Sequence, residues 1–512
     1  MPTSDGYGIE VSYHETFFPE HSPARFSLSS VLHGQPPLDR SRRVSWVDLG
    51  CGVGLTACMV AAANPDIDVW GCDVNPVHIE LSRNLATAAA LPNCTFDEAS
   101  FEQVAHDDSI GPATIDVAVI HGIYSWVSKG SIDALAEFLR RRLSPGGLVY
   151  LSHNTTWGWA SLSPLAEAMR LHVEADGRRH DLAFGDAARA VLALEANGAA
   201  YFPVGKVEES RLRDLESADP RYAVHEYLVE HFRPVTFDEV ADVMAHAKCR
   251  YIGSNFPTDH LRHLWAKSEL AALIDGTPDT TLQQLIRDIG SNRAFRRDIF
   301  RRGLVQPTPN EWSNWTHDLV LLGLDVPFEQ GDAVTIPAGS AELDPTFYGP
   351  LVAALAERPI AVSVILEMFP DLAPSDATAA IAMLVDGGYA APESTGWRTN
   401  GSRESARRCN LAFVDALMHG HDRGFVVAPA IGAAVPVETI ELLTLGQLWS
   451  GTPPDVDRLA DHAEQTLVRM HWNVREHGEY VFDRDAARAI IEQRVRDTLA
   501  KIDTRYTRLG IW

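Results

Sequence analysis

No Cys-x-x-Cys pair occurs anywhere in the 512 residues, which removes the commonest zinc spacing. The six cysteines, Cys51, Cys58, Cys72, Cys94, Cys249 and Cys409, are scattered singly. Four of them fall in or beside one predicted core, where a thiol behaves as a small apolar residue. That usage leads us to expect a reducing, cytoplasmic compartment. No run of about 18 apolar residues exists, so no membrane-spanning segment is expected. The start, Met1-Pro2-Thr3-Ser4-Asp5, lacks the basic and apolar regions of an export signal. Positive charge is scarce: 44 Lys and Arg face 69 Asp and Glu, a formal charge of −25. Electrostatic capture of nucleic acid or of an anionic membrane is therefore disfavoured, and a basic polypeptide is the favoured partner. His225-Glu226 has no second ligand at helical spacing, so no metal is expected.

What the chain has is apolar content of 46%, enough for a real core. Its length implies roughly two to four domains. The organising stretch is Val47-Asp48-Leu49-Gly50-Cys51-Gly52-Val53-Gly54. It reads as a strand, a glycine-rich turn and the start of a helix at Leu55. Such glycines let a backbone turn tightly and let a ligand lie against main-chain N–H groups. A second strand, Asp68 to Cys72, ends at Asp73. This acid lies roughly 20 residues past the glycines, where folds of this kind place the partner of a ribose diol. The form Asp-Leu-Gly-Cys-Gly-x-Gly resembles motif I of the class I S-adenosylmethionine (AdoMet) methyltransferases. The competing reading is an ordinary glycine turn in a parallel sheet.

Further pieces follow the same α/β, Rossmann-like plan. A helix is expected from Asn75-Pro76 to Leu91, then a short strand at Cys94 to Phe96. Asp116 to Ile120 is continuously apolar, as a central parallel strand should be. It ends in His121-Gly122-Ile123-Tyr124-Ser125-Trp126-Val127, which the switch-point rule turns toward the ligand. Ser144-Pro145-Gly146-Gly147 introduces a fifth strand that ends in Ser152-His153-Asn154-Thr155-Thr156-Trp157. Before the first strand, Tyr13 to Arg25 is dense in aromatics and polar groups, either a lid over the cofactor or a packing arm on the sheet edge. Beyond the sheet we expect a connector at 171–219, a mainly helical middle unit at 220–310, and a helical, winged-helix-like unit at 311–512. The Pro359–Tyr389 stretch has the helix-turn-helix pattern, but its second helix is short of Lys and Arg, which argues against DNA. The amphipathic stretch Ala486 to Ile502 packs on the chain's own core or on a second subunit, so a homodimer is one expectation.

Together these segments resemble the rickettsial-type protein lysine methyltransferases, class I enzymes with an appended methyltransferase regulatory domain. The resemblance rests on Tyr13 to Arg25, Asp48 to Gly54, Asp73 to Pro76, Ala99 to Phe101, His121 to Val127 and Pro145 to Gly147. It continues through His225 to Leu228, Asn292 to Arg296 and Arg423 to Gly432. It implies AdoMet as cofactor, S-adenosylhomocysteine (AdoHcy) as product, and a lysine of a protein or peptide as acceptor. The cofactor residues it implies are Tyr13, His21, Arg25, Asp48, Gly50, Cys51, Gly52, Gly54, Asp73, Val74, Asn75, Ser100, Phe101, His121 and Gly122. Ser100 and Phe101 also read as a helix cap and a core residue. His121, Tyr124, Trp126 and Asn154 are the candidate catalytic residues. Tyr124, Trp126, Trp157, His225 and Tyr227 are the candidate acceptor-binding residues. The segment after the fifth strand departs from the family's usual Tyr-Asn and Pro-Gly-Trp. The rival readings are a peptide-tailoring or small-molecule N- or O-methyltransferase, and a non-catalytic AdoMet-binding regulator.

Overall fold

The computed structural model describes residues 3–4, 7–8 and everything from 16 on except 203–214, 216–218, 337–338 and 477–478. Seven strands form its central sheet. They are Val44–Leu49 (β1), Ile67–Asp73 (β2), Cys94–Glu98 (β3), Ile115–Ile120 (β4), Leu143–Asn154 (β5), Cys249–Ser254 (β6) and Phe295–Arg302 (β7). Their spatial order is β3-β2-β1-β4-β5-β7-β6. β1 to β5 run parallel, whereas β7 is antiparallel to both neighbours. Every residue of β4 is buried. Both faces of a parallel sheet are covered by its crossover helices, which is why Val117 to Ile120 read as one apolar run, with Asp116 before them paired to Arg42.

The crossover helices begin where their sequences allow. Asn75 caps Pro76–Ala88 (α3) by accepting the Val77 N–H at 3.0 Å, and Pro76 needs no N–H partner there. Ser100 and Gln103 form a reciprocal capping box on Phe101–His106 (α4). Ser128 caps Lys129–Arg142 (α5).

The middle unit is mainly helical, as the sequence leads one to expect, but it also carries two strands. Its segments β6 and β7 complete the sheet, and β7 pairs with β5 from Leu148↔Arg301 to Asn154↔Phe295. The charged pattern Phe-Arg-Arg-Asp-Ile-Phe-Arg-Arg hides this strand, because Arg296 and Asp298 are buried as an ion pair instead of facing water. The C-terminal part is likewise joined to the sheet. Leu55–Ala63 (α2) packs on helix Asn400–Met418, and the two share one core with Trp46, Phe96 and Leu445. At 360–392 the helices Val362–Met368 and Pro374–Asp386 sit where a helix-turn-helix is expected. The strand after them, Ala390–Pro392, pairs with Val320–Gly323. The carboxyl of Asp386 accepts from Arg25 and from the Thr258 N–H at 2.9 Å, so the second helix is docked on its own chain at that end. No helix among the described residues is long and apolar enough to cross a membrane.

Candidate active site

The strand order reverses between β1 and β4, and the crevice at their carboxyl ends holds a cavity. Its floor is Asp48, Gly50, Cys51 and Gly52. Asp73 and Val74 follow from β2, and Ser100 and Phe101 from the end of β3. His121, Gly122 and Trp126 come from the end of β4. This is where an open α/β sheet binds its ligand.

The glycine loop is shaped by three left-handed residues, Gly50, Gly52 and Gly54, with φ of +84°, +54° and +69°. The N–H groups of Gly50 and Cys51 both donate to the Cys72 carbonyl at 2.9 Å, tying the loop to β2. A Cβ on Gly54 would sit 2.6 Å from Ser82 Oγ and 2.8 Å from Phe96 Cζ, so the turn must be bare there. A Cβ on Gly52 or Gly122 would meet nothing within 4 Å; both leave the cavity wall open.

Asp73 is held rigidly. Its Oδ2 accepts the Gly52 N–H at 3.0 Å and its Oδ1 the Asn75 N–H at 2.8 Å. His78 Nδ1 stands 3.3 Å from Asp73 Oδ1. Asp48 is buried, and desolvation, with the charge of Asp73 second, lifts its carboxyl to about 7. Burial, reinforced by Arg297, drops His121 to about 3, so its imidazole is neutral. The Cys51 thiol is pushed well up by burial and stays protonated.

The far side is formed by the segment that precedes β1. Thr16, Phe18 and His21 line the cavity, and the Phe18 N–H donates to Thr56 Oγ1 at 3.3 Å. The Phe18 ring lies 4.0 Å and the His21 ring 4.9 Å from that of His121. His21 is 1% exposed, and neither of its ring nitrogens has a partner among the described residues.

Several expected site residues lie elsewhere. Arg25 donates to the Asn255 carbonyl at 2.8 Å and pairs with Asp386, so it ties elements together and does not reach the cavity. Asn75 and Gly54 shape the helix starts behind the cavity wall. Tyr124 is buried with its ring 6.2 Å from that of His153. Asn154 is buried at the end of β5, where its N–H donates to Ser125 Oγ at 2.9 Å and its Nδ2 has no partner among the described residues. Trp157 is half-buried in the short helix Thr156–Trp159. His225 and Tyr227 belong to a helix packed on His180–Ala196, with Tyr227 stacked on Phe184. None of these lines the cavity. Tyr13 falls outside the described residues. Sequence reasoning misses Thr16, Phe18, Thr56, His78 and Glu102 on the wall. Thr16 and Phe18 lie in the Tyr13–Arg25 stretch already read as a lid or a packing arm, and His78 stands in the first turn of the helix that Asp73-Val74-Asn75-Pro76 announces; Thr56 and Glu102 left no signal.

The wall suits AdoMet. It offers a fixed carboxylate for a diol, the buried Asp48 carboxyl, an aromatic slot at Phe101, and the His21 imidazole, whose nitrogens have no partner among the described residues. The comparisons agree. A family model described as "Methyltransferase domain" matches residues 47–149, and one described as "Predicted methyltransferase regulatory domain" matches 219–302. The Synechocystis protein sll1526 is 28% identical over 87% of this chain and 88% of its own length. RP028 of Rickettsia prowazekii is 32% identical over 34% of this chain and 67% of its own length. The structure of PKMT2 from Rickettsia typhi in complex with AdoHcy superposes with a TM-score of 0.70 at 19% identity, covering 97% of this chain and 99% of that one. The chain belongs to the class I AdoMet-dependent methyltransferases that carry a methyltransferase regulatory domain.

Proposed function

We propose that the chain methylates an amine, the side-chain nitrogen of a lysine in a protein or peptide. The observation that carries this is the His121–Trp126 segment, whose neutral imidazole and indole line the cavity beneath the Phe18–His21 lid. The end-to-end likeness to the PKMT2 structure supports it, as does the resemblance of the sequence to rickettsial protein lysine methyltransferases.

AdoMet, when bound, supplies a methyl group on a positively charged sulfur. Asp73 would hold the ribose hydroxyls, and its two backbone hydrogen bonds orient it for that task. The Gly50–Gly52 loop and Asp48 would hold the methionine part, with the carboxyl of Asp48 beside the ammonium. Val74, Ser100 and Phe101 would flank the adenine. Neutral His121 adds no positive charge next to the sulfonium. Trp126 and Phe18 present aromatic surface that a cationic transition state tolerates. A lysine acceptor must lose a proton first. From its usual pKa of about 10.4, that costs about 4 kcal/mol near neutral pH. A dry aromatic wall lowers this cost by disfavouring the ammonium. The acidic surface, with a net charge of −25, steers a lysine-rich acceptor inward.

The test is incubation of the purified chain with isotopically labelled AdoMet and a cell lysate, followed by mass spectrometry of the protein and small-molecule fractions. Label on a lysine Nζ of a protein is the expected result. Label confined to small molecules or tailored peptides would replace this reading with that chemistry, and AdoMet binding without transfer would make the chain a regulator.

A further inference from the structure

His121 is held from behind by a residue that the sequence does not single out. Tyr150 lies on β5, one register step from the end of β4, where Val119 faces Tyr150 and Ile120 faces Leu151. Its side chain is fully buried, and its hydroxyl lies 3.0 Å from His121 Nδ1. No other hydrogen-bond partner of this hydroxyl is present among the described residues. Burial pushes the phenol well up, so it always keeps its proton.

Two arrangements satisfy that distance. If Nδ1 carried the proton and the phenol accepted it, the phenol's own proton would be buried without an acceptor, which costs on the order of 1–3 kcal/mol. If the phenol donates to Nδ1, both buried atoms are satisfied. We infer that Tyr150 locks neutral His121 as the Nε2–H tautomer, so that His121 offers the cavity a hydrogen-bond donor and is not the base that takes the acceptor's proton. Tyr150 is thus a positioning residue, acting through His121. The ligand group this donor fits is an oxygen, the carbonyl of the acceptor. The acceptor's proton then leaves to water. The rings of Phe18 and His21 pack against the imidazole, their centres 4.0 and 4.9 Å from its own. His21 is not hydrogen-bonded to it: both His21 nitrogens are without a partner among the described residues. This inference rests on the proposed place of His121 at the transfer end of the cavity, but its primary readout does not.

The test is a long-range ¹H–¹⁵N spectrum of the full chain labelled at histidine, recorded without acceptor and assigned by the resonance lost in His121→Gln. The expected spectrum shows a bare Nδ1 and a protonated Nε2 for His121, unchanged from pH 6 to pH 9. Tyr150→Phe is expected to lose the tautomer preference and to lower kcat, while the KM for AdoMet stays near its wild-type value. His121→Gln, which keeps an N–H donor, retains more activity than His121→Ala. A protonated Nδ1 in the wild-type spectrum overturns the inference, as does an His121→Gln variant no more active than His121→Ala. If the tautomer is as stated but no lysine is labelled, only the acceptor assignment fails.

Discussion

Asp48 and Asp73 close neighbouring parallel strands and line one cavity, and the negative charge of Asp73 adds to burial in lifting the Asp48 carboxyl to about 7. An acid raised this way binds its proton more tightly folded than unfolded. Folding stability is therefore lost as pH climbs from the ordinary carboxylate range to about 7 and stays lost above it, by up to roughly 4 kcal/mol. Asp48→Asn should raise the melting temperature at pH 8 and change it little near pH 4. Scanning calorimetry at the two values checks this.

In the proposed cofactor site the same carboxyl sets the ligand's grip. An ammonium beside Asp48 favours its ionised form, so AdoHcy affinity in the wild type should rise from pH 6 to pH 8, with proton release on binding near pH 7. Asp48→Asn should bind more weakly and lose the pH dependence. Titration calorimetry in buffers of different ionisation enthalpy reads both.

Asp73→Ala should weaken AdoHcy by about a hundredfold or more, since hydrogen bonds to a charged group contribute roughly 1.5–3 kcal/mol each and a ribose offers two. It also frees the N–H groups of Gly52 and Asn75, so loop order falls with affinity. Near-native affinity would remove Asp73 from the ribose role.

The loop glycines should separate stability from binding. Gly54→Ala combines a left-handed φ with contacts of 2.6 and 2.8 Å, and should destabilise the fold by roughly 2–3 kcal/mol. Gly52→Ala meets open space, so only the backbone term of roughly 1 kcal/mol applies, while AdoHcy affinity drops because a methyl enters the cavity. Urea midpoints and titrations on the two variants distinguish the effects.

Arg296 is buried against two acids, Asp288 at 2.7 Å and Asp298 at 2.7 Å. Arg296→Ala leaves Asp288 with only Arg293 at 3.5 Å and Asp298 with only His153 at 3.6 Å among the pairings of the described residues, and should cost about 3–5 kcal/mol, read as a lower urea midpoint. This residue also explains what the sequence conceals. The parallel strands and the glycine loop were legible because burial on both faces writes itself as apolar runs, and because left-handed turns demand glycine. β7 was not, because its inward positions carry Arg296 and Asp298 instead of aliphatic side chains. The cavity floor was legible for a similar reason: Asp48, Gly50, Gly52 and Asp73 sit at strand ends fixed by chain order. The contact of Phe18 with His121 and the wall position of His78 depend on how separate elements meet, and no periodicity carries that. The acceptor-side candidates Tyr124, Asn154, Trp157, His225 and Tyr227 share a sheet edge or a motif with the site, but strand alternation and helix packing turn them elsewhere.

The most direct test is a crystal structure of the full chain with AdoHcy. The account predicts density across the carboxyl ends of β1, β2 and β4, with the ribose hydroxyls on Asp73, the amino group at Asp48 and the sulfur toward His121 and Trp126. Density elsewhere, or a crevice that stays closed by Phe18 and His21 at saturating ligand, would contradict it.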